Sequence, residues 1–96
     1  MDISKADIVI SEAGRDSGKA FYVLAVDGDY VLLSDGKVRT VEKPKRKKIK
    51  HVRFAARIDS HVAEKIRSGD RLLNSELRRD LAANSRLLTV NTREAE

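Results

Sequence analysis

The densest group of charged side chains in the chain is the basic run, residues 43–53, with the sequence KPKRKKIKHVR. Lys and Arg number 20 in the chain against 15 Asp and Glu, which gives a net charge of +5. Without the seven cations of the run, 13 cations would face 15 acidic residues. Ammonium and guanidinium groups at this density attract polyanions such as nucleic-acid backbones. These seven cations are Lys43, Lys45, Arg46, Lys47, Lys48, Lys50 and Arg53.

A second stretch with possible binding chemistry is the glycine loop, GRDSGK, at residues 14–19. It does not have the spacing of a nucleotide-binding P-loop, and a strand rather than a helix is predicted to follow it. Its backbone N–H groups, together with Arg15 and Lys19, have the chemistry to hold a single phosphate of a polymer. Gly14 and Gly18 supply the conformational freedom that such a loop requires.

Catalytic and metal-binding residues are not predicted. The chain has no Cys, so a disulfide framework and a thiolate metal site are both excluded. His51 and His61 lie on different predicted elements, and neither belongs to a catalytic or metal-binding motif. We therefore expect a non-enzyme that needs no cofactor.

The cellular location is predicted from absences in the sequence. The absence of Cys is typical of a reducing compartment. The first residues, MDISKADIVIS, do not resemble a signal peptide, and no apolar stretch approaches the length that spans a bilayer. We expect a cytoplasmic protein that does not associate with membranes.

The elements that must position these groups begin with short strands. Apolar runs rich in β-branched and aromatic residues alternate with polar, glycine-containing connectors. Asp27-Gly28 and Asp35-Gly36 each lie between two apolar stretches, as expected for tight antiparallel turns. The basic run from 43 to 50 is interpreted as a loop between the last two strands. Five strands are predicted, at 7–12, 20–26, 30–34, 37–42 and 49–54.

A small curled barrel is the predicted architecture, because it buries the apolar faces of five short strands and leaves little open edge. Residues 58–83 have a helical period and predict two amphipathic helices, with Asp59 or Ser60 and Asn74 or Ser75 as N-caps and Gly69 ending the first. We expect a barrel at 1–56, a helical extension packed on it at 57–90, and a frayed tail at 91–96. The predicted barrel interior is Ile8, Ile10, Val23, Ala25, Val31, Leu33, Val38, Val52 and Phe54.

Folded RNA is the polyanion that these features favour. The chain has four aromatic residues, and several are needed for its core, so it is poorly equipped to stack the successive bases of a single strand. Phosphate contact and shape recognition remain, and both suit the closely packed backbones of folded RNA. Two other interpretations of the basic run are a solvated loop and, for PKRKK, a nuclear-import signal.

Residues 5–36 resemble a KOW motif, and most closely the KOW-type large-subunit ribosomal proteins of archaea and eukaryotes. The basic run also resembles the return strand of that group. Ala6, Ser17 and Phe21 depart from the motif, because many KOW copies have Gly, Lys and Gly there. The resemblance implies an SH3-like barrel that binds ribosomal or ribosome-associated RNA. The matching residues are Asp7, Ile8, Ile10, Gly14, Gly18, Lys19 and Val23.

The leading hypothesis is a monomeric, non-catalytic protein that docks on folded RNA, with ribosomal RNA as the favoured ligand. The alternative is an adaptor for ribosomal proteins or the transcription machinery, which would offer Leu72, Leu73, Leu77 and Leu81 of its helices to a partner. The predicted RNA-binding residues are Gly14, Arg15, Gly18, Lys19, Lys37, Arg39, Lys43, Lys45, Arg46, Lys47, Lys48, Lys50 and Arg53.

Overall fold

A computed structural model describes residues 2–85 of the chain. The predicted tail at 91–96 and the end of the predicted helical extension lie outside these residues. Short 3₁₀ turns occupy Gly14–Asp16 and Ile49–His51. The strands and helices are β1 (Ile8–Ser11), β2 (Ala20–Asp27), β3 (Tyr30–Ser34), β4 (Lys45–Lys48), β5 (Val52–Ala56), α1 (His61–Ser68) and α2 (Asn74–Ala83).

The five strands form one antiparallel sheet in the order β4-β3-β2-β1-β5. β4 and β5 are its edges, and no pairing joins them within residues 2–85, so the sheet is not closed there. The prediction of a mainly β fold followed by helices is confirmed. The first three strands lie where the sequence placed them, and the β2–β3 hairpin turns at Gly28 and Asp29, where Gly28 has a positive φ of 60°.

The predicted fourth strand, 37–42, is wrong. The turn at Asp35 forms, but its side chain accepts hydrogen bonds from the backbone N–H groups of Lys37 and Arg39. Val41 donates its N–H to the Asn74 side chain on α2, at 2.8 Å. Because side chains occupy these backbone donors, the segment cannot add a strand to the sheet.

The fourth strand lies instead inside the basic run. β4 pairs with β3 from Leu33↔Lys45 to Tyr30↔Lys48. The prediction of a loop over 43–50 is therefore wrong for most of its length. The fifth predicted strand, 49–54, is correct only in its second half, because the 3₁₀ turn at Ile49–His51 precedes β5.

The sheet has apolar clusters on both faces, which explains the errors in the predicted interior. Ile8 and Val9 are consecutive and point to opposite faces, and both are fully buried. The prediction allowed for one interior only, so it missed Val9, Phe21 and Tyr22. Val38, predicted inside, is 61% exposed because its segment is not a strand. Of the predicted set, Ile8, Val23, Val31, Leu33 and Val52 are buried, and Ile10, Ala25 and Phe54 are partly buried.

The two helices cover one face of the sheet. α1 begins after Ser60, one of the two predicted caps, whose hydroxyl accepts from the Ala63 N–H at 3.1 Å. It ends, as predicted, at Gly69, which is in the left-handed conformation. The predicted cap of α2 is wrong: the N-cap is Leu73, whose N–H donates to the Glu76 side chain at 3.1 Å. Val62, Ala63, Ile66 and Leu77 join Ile8 and Tyr22 in the cluster beneath the helices.

Packing of α2 covers most of the leucines that a protein-interaction adaptor would need. Leu77 is fully buried, and Leu72 and Leu81 are partly buried against the same cluster, whereas Leu73 is 51% exposed.

No helix within residues 2–85 has the length and apolar character needed to cross a membrane.

A buried polar network joins the helices to the sheet. The Tyr22 hydroxyl donates a short hydrogen bond to Asp80 on α2 and also lies 3.2 Å from the Ser60 hydroxyl. Burial of Tyr22 and its bond to Asp80 raise the pKa of the tyrosine well above its ordinary value. A separate ion pair joins the start of β1 to the end of β5: Arg57 donates two hydrogen bonds of 2.7 and 2.9 Å to the buried carboxylate of Asp7.

Candidate functional site

The cations of β4 lie on two faces of the sheet. Directly paired residues of antiparallel strands point to the same side. Lys45 and Lys47 therefore share the face of Leu33 and Val31, their partners on β3, which belong to the apolar cluster opposite the helices. Arg46 and Lys48 lie on the other face with Leu32 and Tyr30. The basic run consequently does not present its charge to one side.

Lys47 is turned inward and is 9% exposed. Its ammonium group donates to the hydroxyl of Ser11 at 2.8 Å and to the backbone carbonyl of Ala13 at 2.6 Å. Ala13 immediately precedes the glycine loop, so Lys47 joins this loop to β4. A predicted phosphate ligand is thus a structural cation within the protein.

Two further predicted ligands are held by carboxylates at the same end of the sheet. Arg39 donates through two nitrogens to the buried carboxylate of Asp16, at 2.9 and 3.3 Å. Arg53 lies 3.3 Å from Glu12, but both side chains are about half exposed, so this pair contributes little to stability. The Arg39–Asp16 contact gives the glycine loop a second attachment, in addition to the one made by Lys47.

A shallow depression of about 270 Å³ separates the glycine loop from β4. It is bordered by four cationic side chains and one carboxylate, and the carboxylate already has a partner in Arg39. The depression therefore carries net positive charge and suits an anion of modest size. Its polar lining is Arg15, Asp16, Arg39, Lys45, Lys47 and His51.

The glycines of the loop fulfil a backbone requirement. Gly14 and Gly18 have φ angles of 74° and 86°, in the left-handed region that side chains disfavour. A Cβ on Gly14 would lie 3.8 Å from the Lys47 ammonium, which is an ordinary contact, and one on Gly18 would meet nothing within 4 Å. Conformation rather than space therefore selects glycine at both positions.

Most of the remaining predicted ligands have no side-chain partner among residues 2–85. They are exposed except for Lys45, which is partly buried. Lys37 and Lys43 lie in the long connection between β3 and β4, away from the lining of the depression. Of the predicted ligands, those whose side chains form no hydrogen bond or ion pair within residues 2–85 are Arg15, Lys19, Lys37, Lys43, Lys45, Arg46, Lys48 and Lys50.

Sequence reasoning missed the contact between Arg46 and Tyr30. The guanidinium carbon of Arg46 lies 3.5 Å from the centre of the Tyr30 ring, a stacking distance. Arg46 pairs across the strands with Leu32, and Tyr30, two residues before Leu32 on β3, lies on the same face as its diagonal neighbour. The contact follows from the β3–β4 register, so it could not be found once the basic run was interpreted as a loop.

Comparison with models of known protein families finds no match for this chain. Comparison with curated proteins also finds none. The description of the fold and of the site therefore rests on the geometry of this chain alone. Within residues 2–85, no three His, Cys, Asp or Glu side chains are grouped to hold a metal ion.

Proposed function

We propose that this chain is a non-catalytic RNA-binding protein that docks on folded RNA, with ribosomal or ribosome-associated RNA as the favoured ligand. One observation carries the proposal: the glycine loop and the basic run, which are more than 20 residues apart in sequence, border the same positively charged depression. A phosphate group in the depression would meet Arg15 and Lys45, neither of which has a partner within residues 2–85.

The same proposal includes an SH3-like barrel of the KOW type. Strands β1 to β4 follow one another as an antiparallel meander, and β5 returns to pair with β1, a pattern that favours curling toward closure. Ala6 has a φ of 74°, in the left-handed region, at the position where many KOW copies have glycine. These two features support the resemblance seen in the sequence.

The ligand set of the proposal is smaller than the sequence suggested. Lys47 and Arg39 hold the glycine loop in place, and Arg53 is paired with Glu12. Arg15 and Lys45 remain available in the lining of the depression. The other available cations of the glycine loop and of the basic edge, defined as Lys45, Lys48 and Lys50, are Lys19, Lys48 and Lys50. If about five phosphates are engaged, affinity falls about 500-fold between 50 and 200 mM salt.

The test asks whether RNA binding depends on where the cations lie as well as on the net charge of the protein. One variant carries Lys45→Gln, Lys48→Gln and Lys50→Gln, which removes three cations from the basic edge. Its control carries Lys5→Gln, Arg71→Gln and Arg79→Gln, which removes three exposed cations that have no side-chain hydrogen bond or ion pair within residues 2–85. The two variants have the same net charge.

Binding to structured ribosomal RNA is measured by filter retention across a salt series. We expect the basic-edge variant to bind at least 100-fold more weakly than the wild type at 100 mM salt and the control to stay within about fivefold. Equal losses in the two variants, or a wild-type affinity that does not change with salt, would refute the proposal.

A further inference from the structure

We propose that Arg46 and Tyr30 form a stacking site for one unpaired nucleobase of the bound RNA. The inference rests on the proposed function and adds to it a second kind of contact. The glycine loop and the depression offer only charge and backbone N–H groups, which suit phosphates. The Arg46–Tyr30 pair offers a planar surface on the other face of β4.

The geometry of the pair leaves one side of the guanidinium group open. Its carbon lies 3.5 Å from the centre of the Tyr30 ring, so one face of the group is covered by the aromatic ring. The Arg46 side chain is nevertheless exposed, and within residues 2–85 it forms no hydrogen bond or ion pair. Tyr30 is half-buried and holds the guanidinium plane in position. The uncovered face is thus pre-oriented for a second planar group.

A nucleobase is the planar group that fits this surface. Unpaired bases stack on arginine guanidinium planes as well as on aromatic rings, and such stacking tolerates any base. A carboxylate would instead approach the edge of the guanidinium group, where its two oxygens can accept hydrogen bonds, and would gain nothing from the ring beneath it. The stack of base, guanidinium and ring therefore explains why the arginine lies on the tyrosine.

Neighbouring side chains complete a site for a whole nucleotide. Lys48 is the cross-strand partner of Tyr30 and lies on the same face, where its free ammonium can neutralise a phosphate beside the base. Leu32, the partner of Arg46, contributes apolar surface next to the stack. Bases inside a regular duplex are already stacked on each other, so the ligand is a bulged or splayed nucleotide of folded RNA.

The test uses two RNA hairpins that are identical except for a single bulged 2-aminopurine, which fluoresces less when it is stacked. The wild-type protein is expected to bind the bulged hairpin about tenfold more tightly than the fully paired one and to quench its fluorescence. Arg46→Lys keeps the charge but removes the plane, and Tyr30→Leu keeps the charge but removes the platform. Both should bind the two hairpins equally and lose the quenching.

Lys48→Gln is the matched control on the same face of the same strand. It should bind both hairpins more weakly, with a salt slope lower by about one, and keep the preference for the bulge. Equal binding of both hairpins by the wild type, with no quenching, would overturn this inference and leave the proposed function standing. Binding of neither hairpin at low salt would overturn both.

Discussion

Replacing Lys47 with Met tests whether a buried cation of the basic run belongs to the fold. Met keeps most of the apolar length of the side chain and removes the ammonium group. Two hydrogen bonds disappear, one to the Ser11 hydroxyl at 2.8 Å and one to the Ala13 carbonyl at 2.6 Å. The Ser11 hydroxyl can still donate to the Ala13 carbonyl at 3.2 Å, so that oxygen keeps one partner.

The expected loss of stability follows from these contacts. Hydrogen bonds to charged groups contribute about 1.5–3 kcal/mol each, but removal of a buried charge also recovers part of its desolvation cost. We therefore expect Lys47→Met to lower the free energy of unfolding by about 2 kcal/mol. For a domain of this size that loss lowers Tm by about 10 °C. Lys45→Met is the control, because Lys45 lies on the same face and has no side-chain partner within residues 2–85; its expected change is below about 0.5 kcal/mol.

Urea denaturation followed by circular dichroism measures both variants. Amide hydrogen exchange adds a local measurement: the Gly18 N–H donates to the Ser11 carbonyl at 2.7 Å, and its exchange should be faster in Lys47→Met if the glycine loop is released. If Lys47→Met is as stable as Lys45→Met and Gly18 exchanges at the wild-type rate, Lys47 does not hold the loop and the structural role assigned to it is wrong.

Two further substitutions test how the helices are attached to the sheet. Gly36→Ala would place a Cβ 2.4 Å from the Asn74 carbonyl oxygen at a φ of 74°, so we expect α2 to shift and stability to fall by about 2 kcal/mol or more. Gly28→Ala is the control: its φ is 60° and its Cβ would meet nothing within 4 Å, so it should cost about 1 kcal/mol. Thermal unfolding distinguishes the two variants. Tyr22→Phe removes the hydroxyl bonded to Asp80. Burial and this hydrogen bond raise the pKa of Tyr22, so its hydroxyl keeps its proton in the folded state. Above about pH 10 the tyrosine of the unfolded chain loses its proton before that of the folded chain, which favours unfolding. The free energy of unfolding of the wild type should therefore fall by up to about 1.4 kcal/mol per pH unit relative to Tyr22→Phe. If urea denaturation gives the two proteins the same change in this free energy between pH 9 and pH 11, the prediction is wrong.

Local signals in the sequence were sufficient for several elements. The β2–β3 hairpin was predicted because Gly28 between two apolar runs permits the positive φ of its turn. Both ends of α1 were predicted because Ser60 and Gly69 act through their own side-chain and backbone chemistry. In each case the stabilising contact lies within a few residues of the signal.

The errors arise where the stabilising contact is distant in sequence. β4 contains only Lys and Arg, a composition that indicates a solvated loop, yet its backbone pairs with β3. Lys47 is buried through contacts with Ser11 and Ala13, more than 30 residues away. The strand is also an edge of the sheet, where lysine side chains discourage pairing with another chain. This benefit of lysine follows from the topology and not from the local pattern.

The strand conformation also changes the meaning of the charge density. Consecutive residues of a strand point to opposite faces, so cations that are adjacent in the sequence are separated in the fold. Within the protein, the Lys47 ammonium is turned inward and held by two uncharged acceptors, and Arg46 lies on an aromatic ring. The charge available to a partner is therefore smaller than the seven cations of the basic run, and it is divided between the depression and the outer face of β4. A ligand that uses both must offer phosphates to one face and a planar group to the other, which a rod-like polyanion cannot do and a folded RNA with an unpaired base can.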